Sequence, residues 1–565
     1  DYILGKEDGQ PKSPEWAENE STIPAREIRA LAREWASKKT MLAAGGLGGW
    51  GGACRAASGN EWARLMISLA AMQGLGKPGS NIWSTTQGAP HNSDFVFPGY
   101  AEGSISGDVD NSAAGYRWIQ RMKGRPTRSN INQPVGQHVP RLKIPEVILD
   151  GQLEWRGKGF CGSSIEAQFH KYKYPADGYP PIQMYYRYGG SFIGTMGKTN
   201  RYVKAYRTDK LPFAVNQSIW LEGEAKFADI ILPACTNFER WDISEFAGCL
   251  GYIPDSTTQV NHRVISLQSK CIEPLGESKS DYEIFAFLAE RLGLHEAYTD
   301  GGQTELDWVK RTFEASDLPK HTTWEEFFEK GYFVVPIPED YQPTPALRWF
   351  AEDRKRDTPD WGPHPEYQHE FGRGLQTASG KIEFESSSLR RFDPDQDDPE
   401  RPLIPKYIES WEGHHTTELY SKYPLQLISP HPRFSFHTMG DAKDSWLNEV
   451  KDHRILIDGY YYWIFRINSQ DAAKRGIKSN DLVRVFNDRG VVICAAQVTE
   501  RLPPGTVHSY ESAADYVPVG EPGKSADKGG CINILTPHRF ITKNSSGQAP
   551  NSCLVEVEKL EGGIA

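Results

Sequence analysis

The stretch AAGGLGGWGGAC at residues 43–54 sets six glycines around one tryptophan, Trp50. The glycines are Gly45, Gly46, Gly48, Gly49, Gly51 and Gly52. A strand-like Thr40–Leu42 precedes the stretch, and a helical pattern begins after it near Asn60. In such a strand–loop–helix unit, glycine allows backbone N–H groups to approach a phosphate or another anion closely. The stretch therefore indicates a cofactor loop. It matches neither glycine-rich nucleotide-binding motif, so a packed turn without a ligand stays the alternative.

The composition is that of an ordinary globular protein and excludes several classes of function. The 565-residue chain carries 64 Lys and Arg against 74 Asp and Glu, a net charge of −10, which argues against a nucleic-acid partner. No run of about 18 apolar residues is present, so no membrane span is predicted. The eight cysteines include no Cys-x-x-Cys pair, which speaks against an iron–sulfur or zinc framework in this chain. Scattered single cysteines favour a reducing compartment, and we predict a cytoplasmic location.

The order of predicted elements gives the fold class. The glycine stretch and a helix at Glu61–Gln73 form a βα unit, which predicts an α/β domain of the doubly wound type. A second α/β region begins with three predicted strands, Ile182–Tyr188, Leu211–Trp220 and Ala228–Leu232. Farther on, strands at Leu482–Phe486 and Val491–Val498 flank an Asn-Asp-Arg-Gly turn, which predicts a hairpin within a terminal β-barrel.

These patterns predict three domains. Residues 1–135 form an α/β domain with the glycine-rich cofactor loop, as the end of a larger domain, because the chain begins at Asp1 without a methionine. Residues 136–400 form a second α/β domain with a surface excursion and linker rich in Pro, Asp, Glu and Arg. Residues 401–565 form the β-barrel.

Several motifs together resemble the dimethyl sulfoxide reductase family of molybdopterin enzymes. They are ADIILPA at 228–234, TASGKIEF at 377–384, and INSQDAA at 467–473 with the turn at 487–490. Longer runs, GKPGSNIWSTTQG at 76–88, FPGYAEG at 97–103 and SPHPRFSFHTMGD at 429–441, are similar to the large subunits of the family's transhydroxylases. The resemblance implies that the barrel is the family's six-stranded, double-psi-like dinucleotide-binding domain. It also implies that the side chain ligating the metal lies upstream of Asp1, so we expect no metal ligand in this chain.

The resemblance implies a cofactor of two molybdopterin guanine dinucleotides on one Mo or W. Each carries a pyrophosphate and a polar pterin, so backbone N–H groups, cations and hydroxyls should surround them. We expect the six glycines to supply the close backbone approach. The candidate side chains in the barrel are Ser429, His431, Arg433, His437 and Thr438, followed by Asn533, Thr536 and Gln548. A histidine taken alone is more often structural, but the clustering with Arg433 favours the cofactor.

The same resemblance implies transfer of a hydroxyl group between polyhydroxylated benzenes, in which pyrogallol becomes phloroglucinol with no net redox change. Tyr100 would exchange protons with the phenolic substrate, and Trp50, Phe160 and Tyr252 would line its pocket. Core packing is the alternative for all four residues. A small iron–sulfur subunit is the implied partner.

Three other functions stay open at this point. The protein could be a molybdopterin oxidoreductase that acts on an oxide or oxyanion. It could hydroxylate another aromatic compound, or it could be a catalytically silent cofactor-binding piece.

Overall fold

The computed structural model describes most of the chain. The described residues are 1–43, 53–83, 137, 139–157, 169–245, 264–336, 339–340, 347–355, 374–375, 377–395, 398–435, 437–440, 445–513 and 515–562. Within these ranges, no helix has the length and apolar character needed to cross a membrane.

Several helices in the described ranges begin at a residue whose side chain satisfies the first free N–H groups. Ser280, Thr304 and Thr323 each form a capping box with an acidic residue three positions later. The helices are Pro14–Ser21, Ala25–Ser37, Gly59–Met72, Ile144–Leu149, Phe192–Thr195, Asn200–Tyr206, Asp281–Arg291, His295–Thr299, Glu305–Ala315, Trp324–Lys330, Arg348–Ala351, Ser387–Phe392, Thr417–Lys422 and Ser469–Lys474.

The described strands belong to several separate sheets. They are β1 (Thr40–Ala43), β2 (Ser80–Trp83), β3 (Leu153–Arg156), β4 (Lys171–Tyr174), β5 (Met184–Tyr188), β6 (Phe213–Ser218), β7 (Ile230–Pro233), β8 (Asp242–Glu245), β9 (Val264–Gln268), β10 (Tyr332–Val334), β11 (Leu425–Ile428), β12 (Arg454–Ile457), β13 (Tyr460–Ile467), β14 (Leu482–Asn487), β15 (Gly490–Val498), β16 (Thr506–His508), β17 (Phe540–Thr542), β18 (Ser545–Gln548) and β19 (Cys553–Lys559).

Both α/β regions contain parallel strands, as predicted. β1 pairs in parallel with β2, and the helix Gly59–Met72 lies between them in the sequence. In the second region β5, β6 and β7 form a parallel sheet in that order, and the helix Asn200–Tyr206 connects the first two strands. A parallel pair needs such a crossover connection, which explains why helices alternate with strands here.

The middle region also contains a separate antiparallel sheet of β8, β9 and β10, with β9 in the centre. It packs on the helices Glu305–Ala315 and Trp324–Lys330 around a core that includes Ile265, Phe313 and Phe327. Fully burying an apolar side chain of this size contributes about 1.5–3 kcal/mol.

The C-terminal strands close into a barrel. Its order is β13, β15, β14, β19, β11 and β16, and β16 pairs again with β13. Two neighbouring pairs, β11 with β16 and β13 with β15, are parallel, whereas the other pairs are antiparallel. Alternate residues of β14 are buried, as a strand with one face in the core requires. The predicted six-stranded barrel is therefore confirmed, and so is the hairpin of β14 and β15.

The two boundaries between the three predicted domains stay predictions. The segment before β11 is fastened to the barrel, since Arg489 forms a bidentate ion pair with Glu412 at 2.6 and 2.9 Å. Glu412 also accepts a hydrogen bond from the backbone N–H of Leu554 at 3.0 Å.

Candidate cofactor site

The candidate site lies where two parallel barrel strands end. β11 and β16 are neighbours in register, with Ile428 opposite His508, so both chains leave the barrel at the same edge. The backbone N–H of Ser509 donates to the carbonyl of Ile428 at 3.2 Å, and that of Glu511 donates to Pro430 at 3.0 Å. These bonds extend the pairing beyond the strands. The segment that begins at Ser429 and the segment 509–513 consequently run side by side.

A triad of side chains projects from these two segments. Nδ1 of His431 lies 2.6 Å from Oε1 of Glu511, and the rings of His431 and His437 meet edge to face with centroids 4.9 Å apart. One ligating atom of each residue lies within 4.8 Å of the others. The Glu511 side chain is 6% exposed and that of His431 is 50% exposed, so the triad has a buried end and an open end.

The electrostatic environment of this triad is positive. Burial, followed by the charge of His431, lowers the pKa of His437 to about 4, and Arg141 and Arg55 act in the same direction. Burial alone would raise the pKa of Glu511, but the hydrogen bond and charge of His431, with His437 and Arg55, hold it below its ordinary value. Two guanidinium groups and two imidazoles therefore surround one ionised carboxylate, an arrangement that favours an anionic ligand.

Arg55 connects this cluster to the glycine-rich stretch. It ends the short helical turn Ala53–Arg55, directly after the glycines, and burial lowers the pKa of its guanidinium. Its carbonyl accepts from the backbone N–H of Asn551 at 3.0 Å, and the Oδ1 of Asn551 accepts from the backbone N–H of Ser429 at 3.0 Å. Asn551 therefore fastens the exit of the glycine-rich stretch and the start of the 429–440 segment to one another.

A loop after β5 is docked on the same edge of the barrel by buried polar side chains. Gln548 Nε2 donates to the carbonyl of Thr195 at 2.9 Å, and Asn533 Nδ2 donates to that of Gly194 at 2.8 Å. Thr536 Oγ1 in turn donates to Asn533 Oδ1 at 2.7 Å. Gly194 has φ +108°, and a Cβ there would lie 2.6 Å from the carbonyl oxygen of Ala513. The loop therefore requires glycine where it passes the 509–513 segment.

Carboxylates satisfy the first N–H groups of this loop. The backbone N–H of Ser191 donates to Glu222 at 2.6 Å and to Thr438 Oγ1 at 2.8 Å, while Thr438 Oγ1 donates to the same Glu222 oxygen at 2.6 Å. The backbone N–H of Phe192 donates to Glu224. Burial raises the pKa of both carboxyls. These N–H groups already bond to Glu222 and Glu224 and are not free to bind a ligand. The loop therefore has a structural role, in which it holds Thr438 at the barrel edge.

Three hydroxyls at this edge fit a further polar ligand. The Oγ atoms of Ser429, Ser435 and Ser512 are buried and, within the part of the chain that the structure describes, have no hydrogen-bond partner. Leaving a buried hydroxyl unpaired costs about 1–3 kcal/mol. Together with the surplus of positive charge, these hydroxyls match a cofactor that carries phosphates and a polar ring system.

Comparison with known proteins agrees with this chemistry. Residues 32–291 match the family model "Molybdopterin oxidoreductase", and residues 425–554 match "Molydopterin dinucleotide binding domain". The chain belongs to the dimethyl sulfoxide reductase family of molybdopterin enzymes. The second match covers most of the barrel and both segments, 429–440 and 509–513, that carry the triad. The family's cofactor, bis(molybdopterin guanine dinucleotide) with molybdenum, is therefore assigned to this protein, and the cationic edge of the barrel fits it.

The chain resembles individual members of the family to different degrees. It is 61% identical over 567 residues to the pyrogallol hydroxytransferase large subunit of Pelobacter acidigallici, covering 100% of this chain and 65% of that protein. It is 31% identical over 572 residues to trimethylamine-N-oxide reductase of Haemophilus influenzae, covering 100% of this chain and 60% of that protein. Among solved structures, acetylene hydratase from Pelobacter acetylenicus aligns with 68% of this chain and 45% of its own at TM-score 0.45 and 16% identity. The chain thus spans 60–65% of the length of the two curated relatives.

The structure brings together part of the predicted set of cofactor residues. Ser429, His431 and His437 meet at the cationic edge. Arg433 is exposed, and its guanidinium lies 5.3 Å from the ring of Phe434. Thr438, Asn533, Thr536 and Gln548 hold the loop after β5 through the bonds given above, and their contact with the cofactor stays a prediction. The predicted residues outside the described ranges are Gly45, Gly46, Gly48, Gly49, Trp50, Gly51, Gly52, Tyr100, Phe160 and Tyr252.

Sequence reasoning missed Glu511, Ser512, Arg55 and Arg141. Arg55 directly follows the glycine-rich stretch, and a cation at the end of an anion-binding loop was a usable signal. Glu511 offered none, because a single acidic residue in GTVHSYES at 505–512 does not indicate that it pairs with a histidine 80 positions earlier.

Proposed function

We propose that the protein transfers a hydroxyl group between polyhydroxylated benzenes, as in the conversion of pyrogallol to phloroglucinol, with no net redox change. The proposal rests mainly on sequence identity, which is much higher to one branch of the family than to another. The chain is 61% identical to the hydroxytransferase subunit but 31% identical to the N-oxide reductase, with full coverage of the chain in both cases. When bound, the molybdenum cofactor supplies the oxygen-transfer chemistry.

The described residues bind and orient the cofactor in this proposal. Arg55 and Arg141 supply positive charge for its anionic part, and His431, Ser429 and Ser512 supply an imidazole and hydroxyls for its polar groups. Charge-assisted hydrogen bonds are roughly twice as strong as neutral ones, so the cations carry most of the affinity. Glu511 keeps the cationic groups from repelling one another and fixes the ring of His431.

Four aromatic residues complete the proposed substrate site. Tyr100 exchanges a proton with the substrate's ring hydroxyl, because both are phenols and their pKa values are similar. Trp50, Phe160 and Tyr252 form the walls that accept a flat ring. These roles rest on the similarity of the surrounding sequence to the transhydroxylases.

A small subunit that carries iron–sulfur clusters is the proposed partner, and the cytoplasm is the proposed location. The relative at 61% identity is named a large subunit, which supports an assembly of unlike chains. Purification of the native enzyme under mild conditions, followed by iron analysis of every subunit that copurifies, tests this part of the proposal.

The experiment that tests the activity compares two assays on the same anaerobic holoenzyme. One follows phloroglucinol formed from pyrogallol in the presence of a tetrahydroxybenzene co-substrate. The other follows oxidation of a reduced dye by trimethylamine N-oxide or dimethyl sulfoxide. Formation of phloroglucinol without dye oxidation supports the proposal. Dye oxidation without formation of phloroglucinol contradicts the proposal and favours a reductase function, as in the relative at 31% identity.

Two further outcomes bear on the remaining alternatives. Turnover of a different aromatic compound, with no phloroglucinol, favours a hydroxylating dehydrogenase. A cofactor-loaded protein that is silent in all these assays favours a cofactor-binding protein without this activity.

A further inference from the structure

Two histidines and a glutamate from distant parts of the sequence converge at a second site, which shares no residue with the candidate cofactor site. Glu20 belongs to the helix Pro14–Ser21, and His414 and His415 precede the helix Thr417–Lys422. Nε2 of His415 lies 2.7 Å, and Nε2 of His414 lies 3.4 Å, from the same Oε2 atom of Glu20. The centroids of the two imidazole rings lie 4.0 Å apart, and the ring planes are tilted by 40° to each other.

Neighbouring side chains orient this cluster. Tyr407 donates a hydrogen bond from its hydroxyl to Oε2 of Glu20 at 2.9 Å. On the other side of the ring, Nδ1 of His415 lies 4.0 Å from Oε1 of Glu409. Metal-binding histidines commonly have a carboxylate at the nitrogen that does not bind the metal, and ligating carboxylates commonly accept a further hydrogen bond. The hydrogen bond from Tyr407 supplies the second feature, and Glu409 lies on the side of the free ring nitrogen of His415, at a distance longer than a hydrogen bond.

We propose that Glu20, His414 and His415 bind a divalent transition-metal ion, with Zn²⁺ as the best fit. One ligating atom of each residue lies within 4.8 Å of the others. A tetrahedral zinc ion with bonds of about 2.1 Å holds its ligand atoms roughly 3.4 Å apart, so the side chains need only small rotations. Two imidazoles and one carboxylate select such ions over Mg²⁺ and Ca²⁺, which prefer all-oxygen sites.

The fourth ligand at this site is water. The side chains of His414, His415 and Glu20 are 42%, 32% and 18% exposed, so solvent reaches the cluster from the side of the histidines. Three protein ligands and one open position also occur in catalytic zinc sites, but the mechanism proposed above uses no group of this cluster. The ion therefore has a structural role.

A simple ion pair does not explain the arrangement. Glu20 would need only His415, at 2.7 Å, to neutralise its charge. The second imidazole lies beside the first with its Nε2 facing the same Glu20 oxygen, and it would add repulsion if both rings were charged. A metal ion uses both rings in their neutral form and accounts for the presence of His414.

The ion would join two segments that already touch. Lys406 pairs with Glu7 at 2.6 Å, and the rings of Trp16 and Tyr407 meet edge to face with centroids 5.3 Å apart. These exposed contacts are individually weak. A metal bound across residues 20 and 414–415 would fix the N-terminal helix against the segment that leads into the barrel.

The test uses the holoenzyme after dialysis against a chelator that leaves its molybdenum in place. Calorimetric titration with ZnCl₂ measures affinity and stoichiometry, with MgCl₂ as the control ion. His414→Ala is the decisive variant, because it removes a ligand but leaves the pair between His415 and Glu20 intact. His295→Ala, which changes an exposed histidine on another helix, is the matched control.

We expect the wild type and His295→Ala to bind one equivalent of zinc. His414→Ala should bind zinc at least about tenfold more weakly or not at all, because even the loss of a residue that only supports a metal ligand changes the affinity on this scale. Zinc should also raise the melting temperature of the wild type and not that of His414→Ala. Equal zinc binding by wild type and His414→Ala overturns the proposal, as does a wild type that binds no zinc. If His414→Ala does not fold, Glu20→Gln, on the other segment, gives the same two readings.

Discussion

Nδ1 of His431 and a carboxylate oxygen of Glu511 lie 2.6 Å apart, although the two residues leave the barrel on different strands. The contact exists because β11 and β16 are parallel neighbours that end at one edge. It places the single carboxylate of the cluster beside the imidazoles, where their charge and that of Arg55 help to keep the pKa of Glu511 below its ordinary value. The pair thus sets the balance of charge at the candidate cofactor site.

Removing the charge of Glu511 should destabilise the cofactor-free protein and increase its response to anions. In Glu511→Gln the side chain keeps its shape, but Arg55, Arg141 and the histidines lose their counter-charge. We expect a loss of about 1–3 kcal/mol in the free energy of unfolding of protein produced without cofactor. Added sulfate, compared with chloride at equal ionic strength, should restore more stability to the variant than to the wild type. Equal unfolding curves and equal sulfate effects would contradict the assigned role.

Arg55 should matter more for cofactor retention than for folding. A buried charge-assisted hydrogen bond contributes about 1.5–3 kcal/mol, so Arg55→Met should lower the molybdenum content of the purified enzyme markedly. Arg433→Ala tests the exposed arginine that the sequence predicts as a cofactor residue, and it should lower cofactor occupancy more than the melting temperature. Metal analysis by mass spectrometry and thermal melting are measured together on both variants. Normal molybdenum content in a variant removes that arginine from the site.

The hydroxyl of Ser429 should be a ligand group without a structural role. Its Oγ is buried and has no partner among the described residues, so Ser429→Ala should leave the cofactor-free protein as stable as the wild type, or more so. Cofactor occupancy should fall, since a hydrogen bond contributes about 0.5–1.5 kcal/mol. Ser509→Ala is the matched control, because Ser509 Oγ is buried and donates to the carbonyl of Ile464 at 2.9 Å. That variant should lose stability without a specific loss of cofactor. The assignment fails if the two variants behave alike.

Features that depend on neighbouring residues were predictable from the sequence. The ends of β14 and β15 were each predicted to within one residue, because the turn at Asn487–Gly490 between them is a local signal. The helix at Gly59–Met72 and the strand before it followed from local patterns in the same way. The closed barrel needed the resemblance to the family as well, since its parallel pairs join strands far apart in the chain.

The candidate site was predictable only where its residues lie close together in sequence. Ser429, His431 and His437 stand within ten positions, so their density gave a signal. The remaining members come from three other segments and meet through pairing that no local pattern encodes. The contact between Thr438 and Glu222 spans 216 positions, and that between His415 and Glu20 spans 395.

The stability of the cofactor-free protein should fall as the pH is lowered from about 6.5 to about 4. His437 has a pKa of about 4 in the folded state against an ordinary value of 6.5, so the unfolded chain binds more protons within this window. The full shift corresponds to roughly 3 kcal/mol. His508, whose pKa burial also lowers to about 4, acts in the same direction. Because the pKa of Glu511 is lowered, its contribution is lost only at still lower pH, below the ordinary carboxyl value of 4.5.

Chemical denaturation at several pH values measures this effect. His437→Asn should flatten the dependence between pH 6.5 and pH 4 and leave the part due to His508. His295→Asn, at an exposed position, should reproduce the wild-type curve. An unchanged slope in His437→Asn would show that His437 is solvated in the cofactor-free protein.

The activity of Tyr100→Phe on pyrogallol distinguishes the proposed transhydroxylase function from the reduction of oxides by other members of the family. Phenylalanine keeps the ring and removes only the proton that a phenolic substrate could exchange. Loss of a general acid or base typically costs about 10²–10⁴-fold in rate, so turnover of pyrogallol by the holoenzyme should fall by that order while molybdenum content stays normal. Trp50→Phe, which trims a proposed wall of the pocket without removing a proton site, should cost less. Steady-state rates are compared with the metal content of each preparation. Full activity of Tyr100→Phe on pyrogallol would show that Tyr100 only packs in the protein and that another group exchanges the proton with the substrate.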